Sequence, residues 1–178
     1  MEQMFNRCGA QNYAVNAPYP DTSGACPNEF DAALISCDYA GSVSELSAVT
    51  SYVFRDHMTP TGCEAVMHAF EQIAIVEMRH MNLLANTLTA LGARPVYAAG
   101  CSRCRQSWNA NYVDYVVGVE PMLRRSIAEE EAAIAQYRAH IARISQPCIR
   151  ALLERIIQDE ELHIRIFNCL LERCCGAS

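Results

Sequence analysis

Two short motifs stand out for the chemistry their spacing permits. Glu77-Met78-Arg79-His80 and Glu160-Glu161-Leu162-His163 are both Glu-x-x-His. On a helix, positions i and i+3 share a face one turn apart, so each pair can bind one metal or bridge to a second. Two further glutamates, Glu45 and Glu130, each precede a tyrosine by seven residues, Tyr52 and Tyr137. Seven residues make two turns, so each tyrosine shares its glutamate's face and is a candidate for a redox or hydrogen-bonding role. The order Glu-x6-Tyr then Glu-x-x-His thus occurs twice. Glu45 lies 32 positions before Glu77, and Glu130 lies 30 before Glu160. One such motif arises by chance on many helices; a matched pair of them is a specific signal.

All four glutamates fall where an apolar stripe calls for Leu or Ile. The stripe of the helix that carries the first motif reads Val66, Phe70, Ile73, Glu77, His80, Leu84, Leu88. That of the last reads Ile149, Leu152, Ile156, Glu160, His163, Phe167, Leu170. Unpaired carboxylates in a core are expelled or neutralised, and four together repel one another. Two divalent cations would cancel their charge. Oxygen donors with two imidazoles and no thiolate suit iron or manganese rather than structural zinc. Bridging carboxylates would hold such ions roughly 3.5–4 Å apart, close enough for dioxygen or peroxide to bind between them.

Four amphipathic helices must position these residues. The first runs from about residue 40 to Thr59-Pro60, because the residue before a proline is pushed from helical geometry. The second opens near Thr61, with Glu64 three residues on as in a capping box, and stops at Gly92. The third starts near Glu120-Pro121, with proline at the first position, and the fourth near Ser145, with Pro147 just inside. Short links make the first and last pairs antiparallel hairpins. The middle link, about 93 to 119, can run the length of a 28-residue helix, about 42 Å at 1.5 Å per residue. The expected fold is all-α: a four-helix bundle over residues 38–178, with a long crossover between helices 2 and 3. Residues 1–37 read as an irregular, cysteine-containing N-terminal tail, for lack of a sustained period.

These residues resemble the ferritin-like di-iron carboxylate superfamily, nearest to bacterioferritin and the bundle domain of rubrerythrin, over about residues 40–174. The resemblance implies two iron ions, with manganese as the alternative. It implies Glu45 and Glu130 as terminal or bridging ligands, and Glu77, His80, Glu160 and His163 as the paired-motif ligands. Asp159-Glu160-Glu161-Leu162-His163 matches the Asp-Glu-x-x-His form, making Asp159 a candidate acceptor for a ligand imidazole. The first motif has Val76 there, so the two surroundings should differ. A further glutamate of rubrerythrins, one turn after the third-helix ligand, is Ala133 here. In place of a rubredoxin module with two Cys-x-x-Cys pairs there is Cys101-Ser102-Arg103-Cys104 alone, so an external electron donor protein is implied.

The expected activity is reduction of hydrogen peroxide or dioxygen. The alternatives are ferroxidase and iron-storage activity on ferrous iron, a manganese catalase-like enzyme, or a non-enzymatic metal-clamped subunit. With no bacterioferritin-like haem methionine and no fifth helix after Ser178, a homo-oligomer is expected, a dimer ahead of a cage. A length of 178 residues, 51% apolar and 19% charged, fits one domain. A net charge of −6 without a basic face argues against nucleic acid. No long apolar run or basic leader appears, so a cytoplasmic setting without membrane contact is expected. Most of the ten cysteines then read as free thiols or small core residues. His57, His68 and His140 match no ligand spacing and read as surface or rim, as do Glu129 and Glu131.

Overall fold

The structure, a computed structural model, describes residues 12–101 and 103–175. Five α-helices, α1 (Glu29–Ala40), α2 (Glu45–Met58), α3 (Glu64–Ala90), α4 (Val119–Ile141) and α5 (Pro147–Cys175), account for most of them. Helices α2 to α5 form the bundle. The pairs α2–α3 and α4–α5 pack most extensively, as two hairpins. Their antiparallel sense is visible in α2, where Glu45 approaches His80 while Tyr52 stacks on Phe70.

Local chemistry sets the helix ends. The Ser44 side chain accepts from the Ser47 N–H and opens α2, so this helix begins at Glu45 rather than near residue 40. Cys63 rather than Thr61 precedes α3; Glu64 reaches back to the Gly62 N–H at 3.1 Å in place of the expected capping box. Gly92, at φ +79, closes α3, with Gly92 and Ala93 N–H groups taking the carbonyls of Thr89 and Leu88. Gly118 and Val119 precede Pro121, and Ser145 bonds Asp31 Oδ2 at 3.1 Å instead of capping α5.

The irregular reading of residues 1–37 is corrected for Glu29–Ala40. Asn28 caps this helix through the N–H groups of Phe30 and Asp31. Its buried residues include Asp31, Ser36 and Asp38 beside Leu34, Ile35 and Tyr39, so they ring the helix rather than form a stripe. Helical periodicity therefore gives no signal. Residues 1–11, with Cys8, lie outside the described residues.

Residues 12–28 are irregular, with bends and a turn at 23–24, and lie against the bundle. Gln146 pins them by accepting from the Cys26 N–H at 2.7 Å and donating to its carbonyl at 3.0 Å. The crossover carries a two-stranded antiparallel hairpin, β1 (Ala98–Ala99) and β2 (Gln106–Ser107), then a 3-10 turn at Ala110–Tyr112. Trp108 anchors it to α2 through Nε1 donating to Ser47 Oγ at 3.0 Å.

Two apolar cores fill the bundle. One joins α1 to Leu84, Leu88, Ile134, Tyr137, Ile149, Leu152 and Ile156. The other joins Tyr52, Phe70, Ile73, Leu123, Ile166, Phe167 and Leu170. Between Ile73 and Leu84 on α3, and between Ile156 and Phe167 on α5, the most deeply buried side chains are polar: Glu77, His80, Asp159, Glu160 and His163. The site lies between the cores.

Candidate metal centre

Glu45, Glu77, His80, Glu130, Glu160 and His163 converge here, each no more than 3% exposed. Ligand atoms of Glu45, Glu77, His80 and Glu160 lie within 4.8 Å of one another, as do those of Glu77, Glu130, Glu160 and His163. The two quartets share Glu77 and Glu160, which places these carboxylates between the imidazoles. His80 Nδ1 lies 3.0 Å from Glu77, 3.3 Å from Glu160 and 3.8 Å from Glu45. His163 Nδ1 lies 2.9 Å from Glu160, 3.0 Å from Glu77 and 3.3 Å from Glu130. The doubled motif therefore closes into a pseudo-two-fold cluster.

The tyrosines cross between the halves. Tyr52, on the helix of Glu45, donates to Glu130 Oε1 at 2.6 Å; Tyr137, on the helix of Glu130, donates to Glu45 Oε1. Burial, followed by the neighbouring carboxylates, holds both phenols well above their usual pKa, so both remain donors.

The outer imidazole nitrogens find different partners. His80 Nε2 meets Asp159 Oδ2 at 3.0 Å, as the Asp-Glu-x-x-His pattern implies. His163 has Val76 in the equivalent place, and its Nε2 meets the backbone carbonyl of Tyr13 at 2.9 Å. The irregular N-terminal segment thus completes the half that the motif leaves incomplete. Asp159 also accepts from the Val15 N–H at 2.6 Å and the Tyr19 hydroxyl at 2.7 Å, and pairs with Arg155 at 2.8 Å. Burial would raise Asp159, but bonds to His80, Arg155, Tyr19 and Val15 outweigh it and hold the carboxyl well below its usual range. Two guanidiniums, those of Arg79 and Arg155, each lie over the Tyr19 ring at 4.4 Å from its centre.

Four ionised carboxylates and two neutral imidazoles would leave uncompensated negative charge in this core. Burial, then the charges of Glu160, Glu45 and Glu130, push Glu77 well above the carboxylate range. Burial and Glu160 raise Glu130 to about 7. Burial also opposes ionisation of Glu160, but the two histidines prevail and hold it at about 2. For both histidines burial acts downward, and the surrounding carboxylates more than reverse it. Protons thus stand where metal charge would stand. Glu77 Oε1 is buried and accepts no hydrogen bond, although His163 Nδ1 lies 3.0 Å away. An orphaned carboxylate oxygen amid four acidic and two imidazole side chains fits a pair of hard divalent cations.

On the side away from the histidines' outer nitrogens, a cavity of about 150 Å³ opens between α2 and α4. Glu45, Tyr52, Glu77, Glu130, Tyr137 and Glu160 line it, along with small residues including Ser47, Ala48, Ser51, Ala132 and Ala133. Ala133 leaves room where a further glutamate would project.

Other expectations change. His57 is exposed and His68 half-buried, but His140 is buried and bonds Asp38 at 2.8 Å. Glu131 is exposed, whereas Glu129 clamps the fully buried Arg55 at 2.6 and 3.0 Å. Neither pair is legible locally, since the partners stand 102 and 74 positions apart. Cys26, Cys37, Cys63, Cys101, Cys104 and Cys148 are free thiols; Cys169 is disulfide-bonded.

Bundle, crossover and buried Glu/His cluster together define a ferritin-like carboxylate protein of the di-metal type. The chain belongs to the rubrerythrin family, whose sequence model matches residues 40–171. Its fold is similar to KatB, a manganese catalase from Anabaena, with a TM-score of 0.80 at 20% identity over 92% of this chain and 81% of that one. It is also similar to a bacterioferritin from Desulfovibrio desulfuricans with a diiron site, at TM-score 0.64 and 21% identity over 85% of this chain and 88% of that one. No curated protein sequence matches this chain.

Proposed function

We propose that this chain is a di-iron oxidoreductase that reduces hydrogen peroxide or dioxygen with electrons from an external donor protein. The observation that carries this reading is the pair of overlapping donor quartets sharing Glu77 and Glu160. One quartet would hold each ion, with Glu45 and His80 on one side and Glu130 and His163 on the other. A bound pair of ions would supply reversible electron transfer and a Lewis-acidic face for a small oxidant.

The chain's own residues prepare that face. Tyr52 and Tyr137 fix one oxygen of Glu130 and of Glu45, which leaves the other oxygen of each free to ligate. Asp159 and the Tyr13 carbonyl hold the proton at Nε2 of each histidine and so present Nδ1 inward. Small side chains keep the cavity open to an oxidant the size of dioxygen or hydrogen peroxide, and the tyrosine hydroxyls bring protons to its wall. Reduction of peroxide consumes two protons with two electrons, so donors at that wall serve the chemistry. Membership of the rubrerythrin family and the likeness to a bacterioferritin with a diiron site support iron.

Manganese with catalase-like turnover is the second reading, supported by the likeness to the Anabaena enzyme. Anaerobic loading with ferrous iron, then stopped-flow mixing with peroxide and separately with oxygen, tests the proposal. Rapid oxidation by either oxidant is expected. Inert iron-loaded protein, together with oxygen evolution from peroxide by manganese-loaded protein, would replace it with the catalase reading.

A further inference from the structure

Outside the carboxylate cluster, the crossover brings two thiols together. Strands β1 and β2 pair Ala98 with Ser107 and Ala99 with Gln106, and their hairpin loop carries Cys101 and Cys104. The Cys104 N–H bonds the Cys101 carbonyl at 3.0 Å, closing a tight turn. Gly100 makes the turn possible: its φ is +103, and a Cβ there would meet the Cys104 carbonyl oxygen at 2.5 Å. The Cys101 sulfur receives the backbone N–H groups of Arg103 and Cys104 and, with a smaller effect, the Cys104 thiol, which hold it below the usual thiol pKa. Among the described residues no third His, Cys, Asp or Glu joins the two sulfurs in a metal-binding group, which sets a metal site aside. Beside Cys101 lies a cavity of about 370 Å³, lined also by Asn28, Glu29, Ser36, Arg94 and Arg105. This is within the size of small-molecule pockets, roughly 300–1,000 Å³.

We propose that Cys101 and Cys104 form a reversible dithiol–disulfide site that exchanges with a small, carboxylate-bearing disulfide seated in this cavity. The Cys101 thiolate attacks one sulfur of the incoming disulfide, whose S–S bond breaks and releases one thiolate. Cys104 loses its proton to solvent and attacks the Cys101 sulfur, displacing the second thiolate. The pair gives up two electrons and two protons, which the incoming disulfide takes up as two thiols. Arg94 and Arg105 outnumber the one acidic group of the lining, Glu29, and leave positive charge for carboxylates. Cys101 is the attacking residue because it lines the cavity, whereas Cys104 does not; the exposed Cys104 resolves.

The test uses full-length protein and glutathione as the probe. Protein equilibrated at a series of reduced-to-oxidised glutathione ratios is acid-quenched, alkylated and analysed by peptide mass spectrometry. The expected result is a 101–104 disulfide that forms and reverses with the ratio, while exposed Cys26 remains alkylatable. Cys104→Ser should trap glutathione on Cys101, and Cys101→Ser should trap none on Cys104. Arg105→Ala in the Cys104→Ser background should slow capture several-fold at low salt. Both cysteines alkylated at every ratio, or trapping on the wrong sulfur, would overturn the dithiol site. Capture unaffected by Arg105→Ala would overturn the cavity as the docking place. None of these readouts depends on the metal centre, so its fate and that of the oxidoreductase reading are separable.

Discussion

The two halves of the cluster present the same inner donors but rest on different supports. His80 is held from behind by a buried carboxylate, Asp159, itself fixed by Arg155, Tyr19 and the Val15 N–H. His163 is held by one neutral carbonyl, that of Tyr13. A carboxylate raises ligand basicity more than an amide carbonyl does, so the His80 half should bind its ion more tightly. Pseudo-symmetry in the inner shell thus coexists with asymmetry in the outer one, and the N-terminal segment is what separates them.

The largest effect should come from removing a shared carboxylate. Glu160→Ala takes an oxygen donor from both quartets, and the expected metal content falls from two ions per chain to near none. Glu45→Ala or Glu130→Ala removes a donor from one quartet and should leave about one ion. Elemental analysis of the three variants checks the contrast; two ions retained by Glu160→Ala would break the shared-ligand account.

Next in size is Asp159→Asn. Loss of an outer-shell carboxylate typically costs about 10–100-fold in metal affinity. That loss should fall on one of two resolved binding steps, and an equal loss on both would show that the halves are coupled rather than distinct. Tyr19→Phe removes one hydrogen bond to Asp159, with an expected cost of about 0.5–1.5 kcal/mol in stability by chemical denaturation. Its effect on the tighter metal step should be smaller than that of Asp159→Asn, in the same direction.

Glu77, Glu130 (at about 7), His80 and His163 all have raised pKa values in the metal-free chain. Groups so raised carry protons near and below neutrality, and a cation must displace them. Metal uptake should therefore release protons, and apparent affinity should rise with pH through about 7. Calorimetry in two buffers of different ionisation enthalpy measures the release; none at pH about 6 would contradict the exchange of protons for metal charge.

How much of this the sequence discloses depends on the kind of contact. The six inner donors are legible because a helix writes one face at a fixed spacing, and the glutamates interrupt apolar stripes twice in the same order. The seven-residue offset shows that Tyr52 and Tyr137 share the core, but it does not show that each serves the opposite half. Asp159 is legible from its motif. The Tyr13 carbonyl is not, because every residue has one and its selection depends on where an aperiodic segment happens to lie. The helix Glu29–Ala40 is hidden for a related reason: buried on several sides, it carries no stripe. Arg55–Glu129 and Asp38–His140 join distant positions across the fold, and no local pattern announces them.

The central claim is that the four glutamates and two histidines exist to hold two ions, and anomalous scattering from iron-loaded crystals tests it most directly. Two peaks are predicted roughly 3.5–4 Å apart, one against Glu45 and His80, the other against Glu130 and His163, with Glu77 and Glu160 between. A single peak, or iron bound elsewhere while the cluster keeps its protons, would contradict it.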